Sequence, residues 1–194
     1  MRKLVVIEFL SLDGVMQAPG APEEDTEGGF RHGGWSMPYA DEVMGQAAAE
    51  GMAATDTHLF GRKTYEIMAA HWPHAPGEDP FAQHLNNVEK YVVSTTLRKA
   101  DWQNTTIIDG NVAERVARLK EQPGKNIGVL GSGELVHTLI ENDLVDEYSL
   151  TVYPIVLGSG KKLFRDADQT RKLKLVDSKP TTTGGLMLTY QPER

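Results

Sequence analysis

The sequence contains no cysteine, which excludes disulfides, thiolate zinc sites and a cysteine nucleophile, and agrees with a reducing compartment. It also has no apolar run near the ~20 residues of a membrane helix. A basic surplus is missing: 20 Lys and Arg face 27 Asp and Glu, for a formal net charge of −7. That balance disfavours broad nucleic-acid binding, although a few well-placed cations suffice for a phosphorylated ligand. Met1-Arg2-Lys3 makes a basic start, but Glu8 interrupts the apolar run Leu4–Ile7 and no small-residue cleavage site follows. The segment reads as a strand, not a signal peptide, and a cytoplasmic protein is expected. With 40% hydrophobic and 24% charged residues, a chain of 194 suits a single domain spanning residues 1–194.

The chain alternates strands and helices over most of its length. Leu4–Phe9 is a buried strand, broken by Ser11-Leu12-Asp13-Gly14, and Ala18–Gly34 is a long Pro-, Gly- and Glu-rich loop. Met44, Ala48 and Met52 at four-residue spacing predict a helix over Tyr39–Ala54, with Pro38 at or before its first turn. Strand Thr57–Phe60 leads to helix Arg62–Ala70; after His71-Trp72-Pro73 comes an irregular stretch, His74–Pro80. Strands Tyr91–Ser94 and Thr105–Ile108, helix Asn111–Gln122, strand Asn126–Leu130 and helix Glu134–Glu141 complete this part. Beyond Asp143, alternation at Tyr148/Leu150/Val152, Leu173/Leu175 and Leu186/Leu188/Tyr190 marks half-buried antiparallel strands. The expected fold is α/β: a mixed, mostly parallel sheet of about eight strands, flanked by about four helices, with an antiparallel C-terminal edge.

Two strand–glycine–helix junctions carry chemistry. At His58–Glu66 a strand turns at Gly61 into a helix opening with Arg62, Lys63 and Thr64. Helix N-termini attract anions, and two cations and a hydroxyl there suit a ribose phosphate; an ordinary turn with solvated cations is the alternative. At Ile127–Val136, Gly131-Ser132-Gly133-Glu134 lets backbone approach a pyrophosphate, although no third glycine completes the dinucleotide fingerprint. His71 and His74 lack a third ligand, so no metal site is expected. Asp13 can shape a turn as readily as touch substrate, and Lys161-Lys162 reads as a solvated turn.

Phe60-Gly61-Arg62-Lys63-Thr64-Tyr65-Glu66 resembles the strand-to-helix motif of dihydrofolate reductases, and Gly131-Ser132-Gly133 resembles that family's later glycine turn. Ser11-Leu12-Asp13-Gly14 and the stretch Asp146–Gly160 are more similar to the reductase domain of bifunctional riboflavin-biosynthesis deaminase/reductases and its stand-alone relatives. No deaminase zinc motif is present, so the resemblance is to the reductase part alone. It implies a dihydrofolate reductase-like fold and an NADPH cofactor. By match, Arg62, Lys63 and Thr64, with Gly61, would meet cofactor phosphates, and Ser94 and Thr95 would lie beside the adenosine phosphate. Gly131, Ser132, Gly133 and Glu134 would line the pyrophosphate, and the backbone of Leu12, Gly14 and Val15 the nicotinamide.

The implied activity is reduction of a small polar heterocycle, carbonyl or imine, with no metal. The substrate would be a pyrimidine ribosyl phosphate, as in 5-amino-6-(5-phosphoribosylamino)uracil reduction, or a pterin; a non-catalytic nucleotide-binding protein would retain the same fold. A phosphosugar calls for cations at the pocket, whereas loop 18–34 offers Glu23, Glu24, Asp25 and Glu27 against Arg31 alone. Asp41, at the start of the first helix, matches the family's proton-donating carboxylate; its alternative role is a helix-terminal carboxylate favoured by the dipole. The resemblance also implies a homodimer.

Overall fold

The computed structural model describes residues 1–165 and 170–193. Its eight strands form one sheet in the order β4-β3-β2-β5-β1-β6-β8-β7. The strands are β1 Leu4–Ser11, β2 Thr55–Gly61, β3 Glu89–Val93, β4 Thr105–Ile108, β5 Asn126–Leu130, β6 Glu147–Tyr153, β7 Leu173–Pro180 and β8 Leu186–Pro192. The helices are α1 Glu42–Ala54, α2 Arg62–His71, α3 Pro80–Asn87, α4 Val112–Glu121 and α5 Gly133–Glu141. Strand β2 pairs in parallel with β3 and β5, and β3 with β4, while β8 pairs antiparallel with β6 and β7. This is the mixed, mostly parallel sheet with an antiparallel edge that the alternation of elements predicts.

The chain divides into two compact units, residues 1–5 with 49–145, and residues 6–48 with 146–194. In the first, Phe60, Tyr65, Leu85, Val92 and Trp102 form a buried cluster. Tyr65 accepts the Trp102 amide at 3.1 Å, and the Trp102 indole donates to Asn86 at 2.7 Å, so each buried polar tip is satisfied. In the second, Val15, Ala18, Phe30, Trp35 and Tyr153 pack together, with Trp35 and Phe9 both edge-on to Tyr153. The Trp35 indole donates to the Gln17 carbonyl at 2.8 Å and pins the end of the long loop to its beginning.

Three elements depart from the sequence reading. A fifth helix among the described residues, α3, begins at the end of His74–Pro80, read from sequence as irregular chain. Asp79 accepts the Phe81 and Ala82 amides and Pro80 occupies the first turn, so a capping pair stood where a breaker was read. Helix α1 starts at Glu42, not Tyr39, because Pro38 lies in a separate 3-10 turn, Met37–Tyr39. Strand β7 is largely exposed, and its register shifts between Leu175 and Asp177, which breaks the simple inward alternation of Leu173 and Leu175.

Three basic groups, His84 of α3 with His58 and Lys90, cluster in the first unit. His58 is buried and stacked on Phe60, and its Nε2 lies 3.1 Å from Nε2 of His84, so one ring donates to the other. Lys90 is fully buried; its Nζ donates to the Leu85 and Val88 carbonyls and sits 4.7 Å from the Trp102 ring. Burial, then the charges of His84 and Lys90, push the His58 pKa down to about 3, from an ordinary 6.5. The unfolded chain therefore takes a proton near pH 6.5 that the folded chain refuses until about pH 3. Stability from this group is present above pH 6.5 and is lost as pH falls through that window. Urea midpoints of wild type and His58→Gln should diverge in pH dependence between pH 6.5 and 4, with wild type falling more steeply. Parallel curves would contradict the assignment.

Candidate functional site

In the first unit the carboxyl ends of the neighbouring strands β3, β2 and β5 carry Ser94-Thr95, Gly61–Thr64 and Gly131–Glu134. Ligands of parallel sheets collect at such ends. Helices α2, α4 and α5, each following a strand, have no side-chain cap at their N-termini. Helix α3, which follows an irregular segment, is capped by Asp79. The uncapped first turns leave backbone N–H groups and the positive helix end as an anion-binding surface.

Ser132 joins two of these junctions. It is the N-cap of α5 and, with Gly131, adopts a left-handed backbone at φ 64° and 56°. Its hydroxyl accepts the Gly61 amide at 2.9 Å and donates to the Leu130 carbonyl at 3.1 Å, while its own amide donates to Thr64 Oγ1 at 3.0 Å. The starts of α2 and α5 are therefore tied into one edge. The Thr64 hydroxyl serves this tie, so Arg62 and Lys63 are the cations the edge presents. Arg62 lies along its helix in an exposed i,i+4 pair with Glu66, at 2.9 Å. Such a pair is weak enough for a phosphate to displace. Ser94, nearly buried, accepts the Thr96 and Leu97 amides and holds its own turn, while Thr95 and the Glu134 carboxylate are exposed.

In the second unit, the turn after β1 is fixed from within. Asp13 accepts from Ser11 Oγ at 2.6 Å and from the Leu157 and Gly158 amides at 3.1 and 2.8 Å. These bonds, the Ser11 hydroxyl foremost, lower its pKa to about 2, so it shapes the turn as a carboxylate. Gly14 takes φ 83°, Leu12 is exposed and Val15 is buried. Asp41 caps α1 through the Met44 amide at 2.9 Å, and its other oxygen accepts the Thr182 amide and hydroxyl at 2.6 and 2.8 Å. Its pKa is lowered, first by the Met44 amide. That geometry favours the helix-terminal role over proton donation.

Lys161 corrects one expectation. It is not a solvated turn residue, because its ammonium bridges Asp25 and Glu27 at 2.5 Å each. No composition signal marks that pairing, since the partners lie more than a hundred residues away in sequence. Among the described residues no group of three or more His, Cys, Asp or Glu could hold a metal, and no helix is long and apolar enough to cross a membrane.

The fold is that of the dihydrofolate reductases. Over 99% of this chain and 97% of the other, it superposes on Enterococcus faecalis dihydrofolate reductase complexed with NADP(H), with a TM-score of 0.61 at 16% identity. A protein of Shewanella sp. PV-4 named for riboflavin biosynthesis gives 0.73 at 21% identity, over 99% of each chain. Residues 2–187 match the RibD C-terminal domain, and the chain belongs to that family. It is 36% identical over 140 residues, 70% of this chain and 73% of the other, to the uncharacterized protein YyaP of Bacillus subtilis.

Replacing Ser132 by Ala leaves the Gly61 amide without its acceptor, at a cost of about 1–3 kcal/mol. Urea unfolding should show that loss with an unchanged m-value; an unchanged midpoint would mean that the tie is not needed to hold the junctions.

Proposed function

We propose that the protein is an NADPH-dependent reductase of a small polar heterocycle, carbonyl or imine, of the riboflavin-pathway type or a relative of it. The family and fold make it a reductase-like protein; the cofactor and reaction are the proposal. The observation that carries it is the shared edge of α2 and α5, two uncapped helix starts joined through Ser132 beside Arg62 and Lys63. A dinucleotide carries a pyrophosphate and, in the NADP form, a ribose 2′-phosphate, which match the helix starts and the cations respectively. Gly131 presents no side chain at the point of approach.

In this reading Gly131, Ser132, Gly133 and Glu134 line the pyrophosphate through their backbone, and Arg62 and Lys63 hold the 2′-phosphate. Gly61 and Thr64 keep that edge in place, and Thr95 lies toward the adenosine end, on the turn that Ser94 braces. For Leu12, Gly14 and Val15, on the turn that Asp13 holds, the nicotinamide role stays what the family resemblance implies. When bound, the cofactor supplies hydride; the protein supplies alignment. Asp41 positions the Thr182 turn against α1, and its bonds favour that role over proton donation.

Binding of NADPH should quench tryptophan fluorescence and raise the melting temperature. Arg62→Ala and Lys63→Ala should each weaken NADPH about tenfold and leave NADH nearly unchanged, because each removes a charge-assisted phosphate contact. Equal losses for both cofactors would remove the 2′-phosphate role, and no response to NADPH would remove the reductase reading. The homodimer belongs to the same proposal. It is supported by Leu175 and Leu186, about half exposed on β7 and β8 and on one face of the sheet with Leu188 and Tyr190. Light scattering should give twice 21.4 kDa; a single-chain mass at all concentrations would exclude it.

A further inference from the structure

The turn that joins β7 to β8, residues 181–185, holds its own shape. The Thr181 amide donates to the Gly185 carbonyl at 2.9 Å, and the Gly185 amide donates back to Thr181 Oγ1 at 2.8 Å. Gly184 takes φ 91°, a left-handed conformation that lets the chain reverse there. The bonds that carry this turn to the start of α1 are of another kind. Thr182 donates its amide and its hydroxyl to Asp41 Oδ2 at 2.6 and 2.8 Å, and the Thr183 hydroxyl donates to the Tyr39 carbonyl at 2.7 Å. Both bonds to Asp41 lie at the surface.

Tyr39 and Asp41 belong to a segment that stands beside an open stretch of the sheet. Tyr39 ends the 3-10 turn Met37–Tyr39, and Asp41 caps α1 through the Met44 amide. The rings of Tyr39 and Tyr153 lie 5.7 Å apart, and the Tyr153 hydroxyl is 3.9 Å from Met44 Sδ, so the segment meets the sheet at Tyr153. Beyond that contact the packing thins. Helix α1 carries Val43, Met44 and Ala47, yet it has no buried residue. Phe9, edge-on to Tyr153 on an interior strand, is 39% exposed. An aromatic ring in the middle of a sheet is ordinarily covered. The start of α1 is thus held by a carboxylate more than by an apolar seam.

We propose that the β7–β8 turn is a strap and Asp41 its latch. While Asp41 holds Thr182, residues 37–44 are kept against Tyr153 and the Phe9 face is partly screened; when the latch parts, the segment moves out and that face opens. The two oxygens of Asp41 divide the work. Oδ1 stays on the Met44 amide and keeps the helix capped, while Oδ2 releases Thr182 to water. Charge-assisted bonds are strong enough to keep such a strap closed most of the time, and at the surface, where water replaces the lost partner, weak enough to let it open. The latch stands without the reductase reading; calling the admitted molecule a substrate rests on that reading.

The absence of cysteine makes the opening measurable, because one introduced thiol is the only thiol in the protein. Phe9→Cys should react slowly with methyl methanethiosulfonate, and about fivefold faster once Asp41→Ser is added, the change expected from losing one hydrogen bond of ordinary net strength. Serine keeps a helix cap but lacks the second oxygen that holds Thr182. A reference thiol in the first unit, Lys99→Cys, should react at one rate in both backgrounds. Hydrogen exchange without any thiol gives the second measurement: Asp41→Ser should speed exchange about fivefold in residues 37–44 and 181–185 and leave β2–β5 unchanged. Equal Phe9→Cys rates with and without Asp41→Ser, or exchange that quickens evenly along the chain, would overturn the proposal. Neither measurement involves NADPH, so a protein indifferent to NADPH would lose the reductase reading and keep the latch.

Discussion

At the end of β5 the chain places a serine in the left-handed region, where a non-glycine residue is uncommon, and the joined edge of α2 and α5 follows from that choice. The conformation turns the Ser132 hydroxyl toward Gly61 and its amide toward Thr64, residues 71 and 68 positions earlier. One small side chain thus aligns the starts of two helices. An Asn or Asp could also tolerate the backbone, but a carboxylate would put a negative charge where the dipoles favour an anionic ligand. A hydroxyl ties the edge without competing for it.

The second unit uses carboxylates for the opposite purpose. Asp13 gathers three donors from its own turn and from Leu157-Gly158, while Asp25 and Glu27 gather around Lys161. These acids fix the irregular chain to the segment after β6, doing with side chains what a sheet does with backbone. A long loop with little secondary structure can then hold a defined conformation.

The regular elements were legible because their signal is local. Apolar spacing found the central strands and four of the helices, since a half-buried helix or strand must repeat its apolar positions. Helix α3 escaped because Asp79-Pro80 is at once a turn motif and a helix start; the difference lies in Leu85 and Ala82 being buried. The two strand–helix junctions were legible as places, from glycine and hydroxyl residues at strand ends. Their connection through Ser132 was not, because a dihedral angle and a contact across dozens of residues leave no periodic trace. Lys161 was misread for the same reason: two adjacent lysines look solvated until distant acids fold against one of them. Asp41 was legible in its capping role but not in its hold on Thr182.

The two ends of the sheet carry different protections, and they limit how the protein can associate. Strand β4 is only four residues long, which offers a foreign strand little to pair with. Strand β7 is longer, but its register shift, Lys174, Lys179 and the terminal Pro180 make it a poor template. Open-ended addition of strands, the route to fibrous aggregates, is discouraged at both margins. The apolar side chains of the late strands can stay uncovered without making the sheet self-propagating.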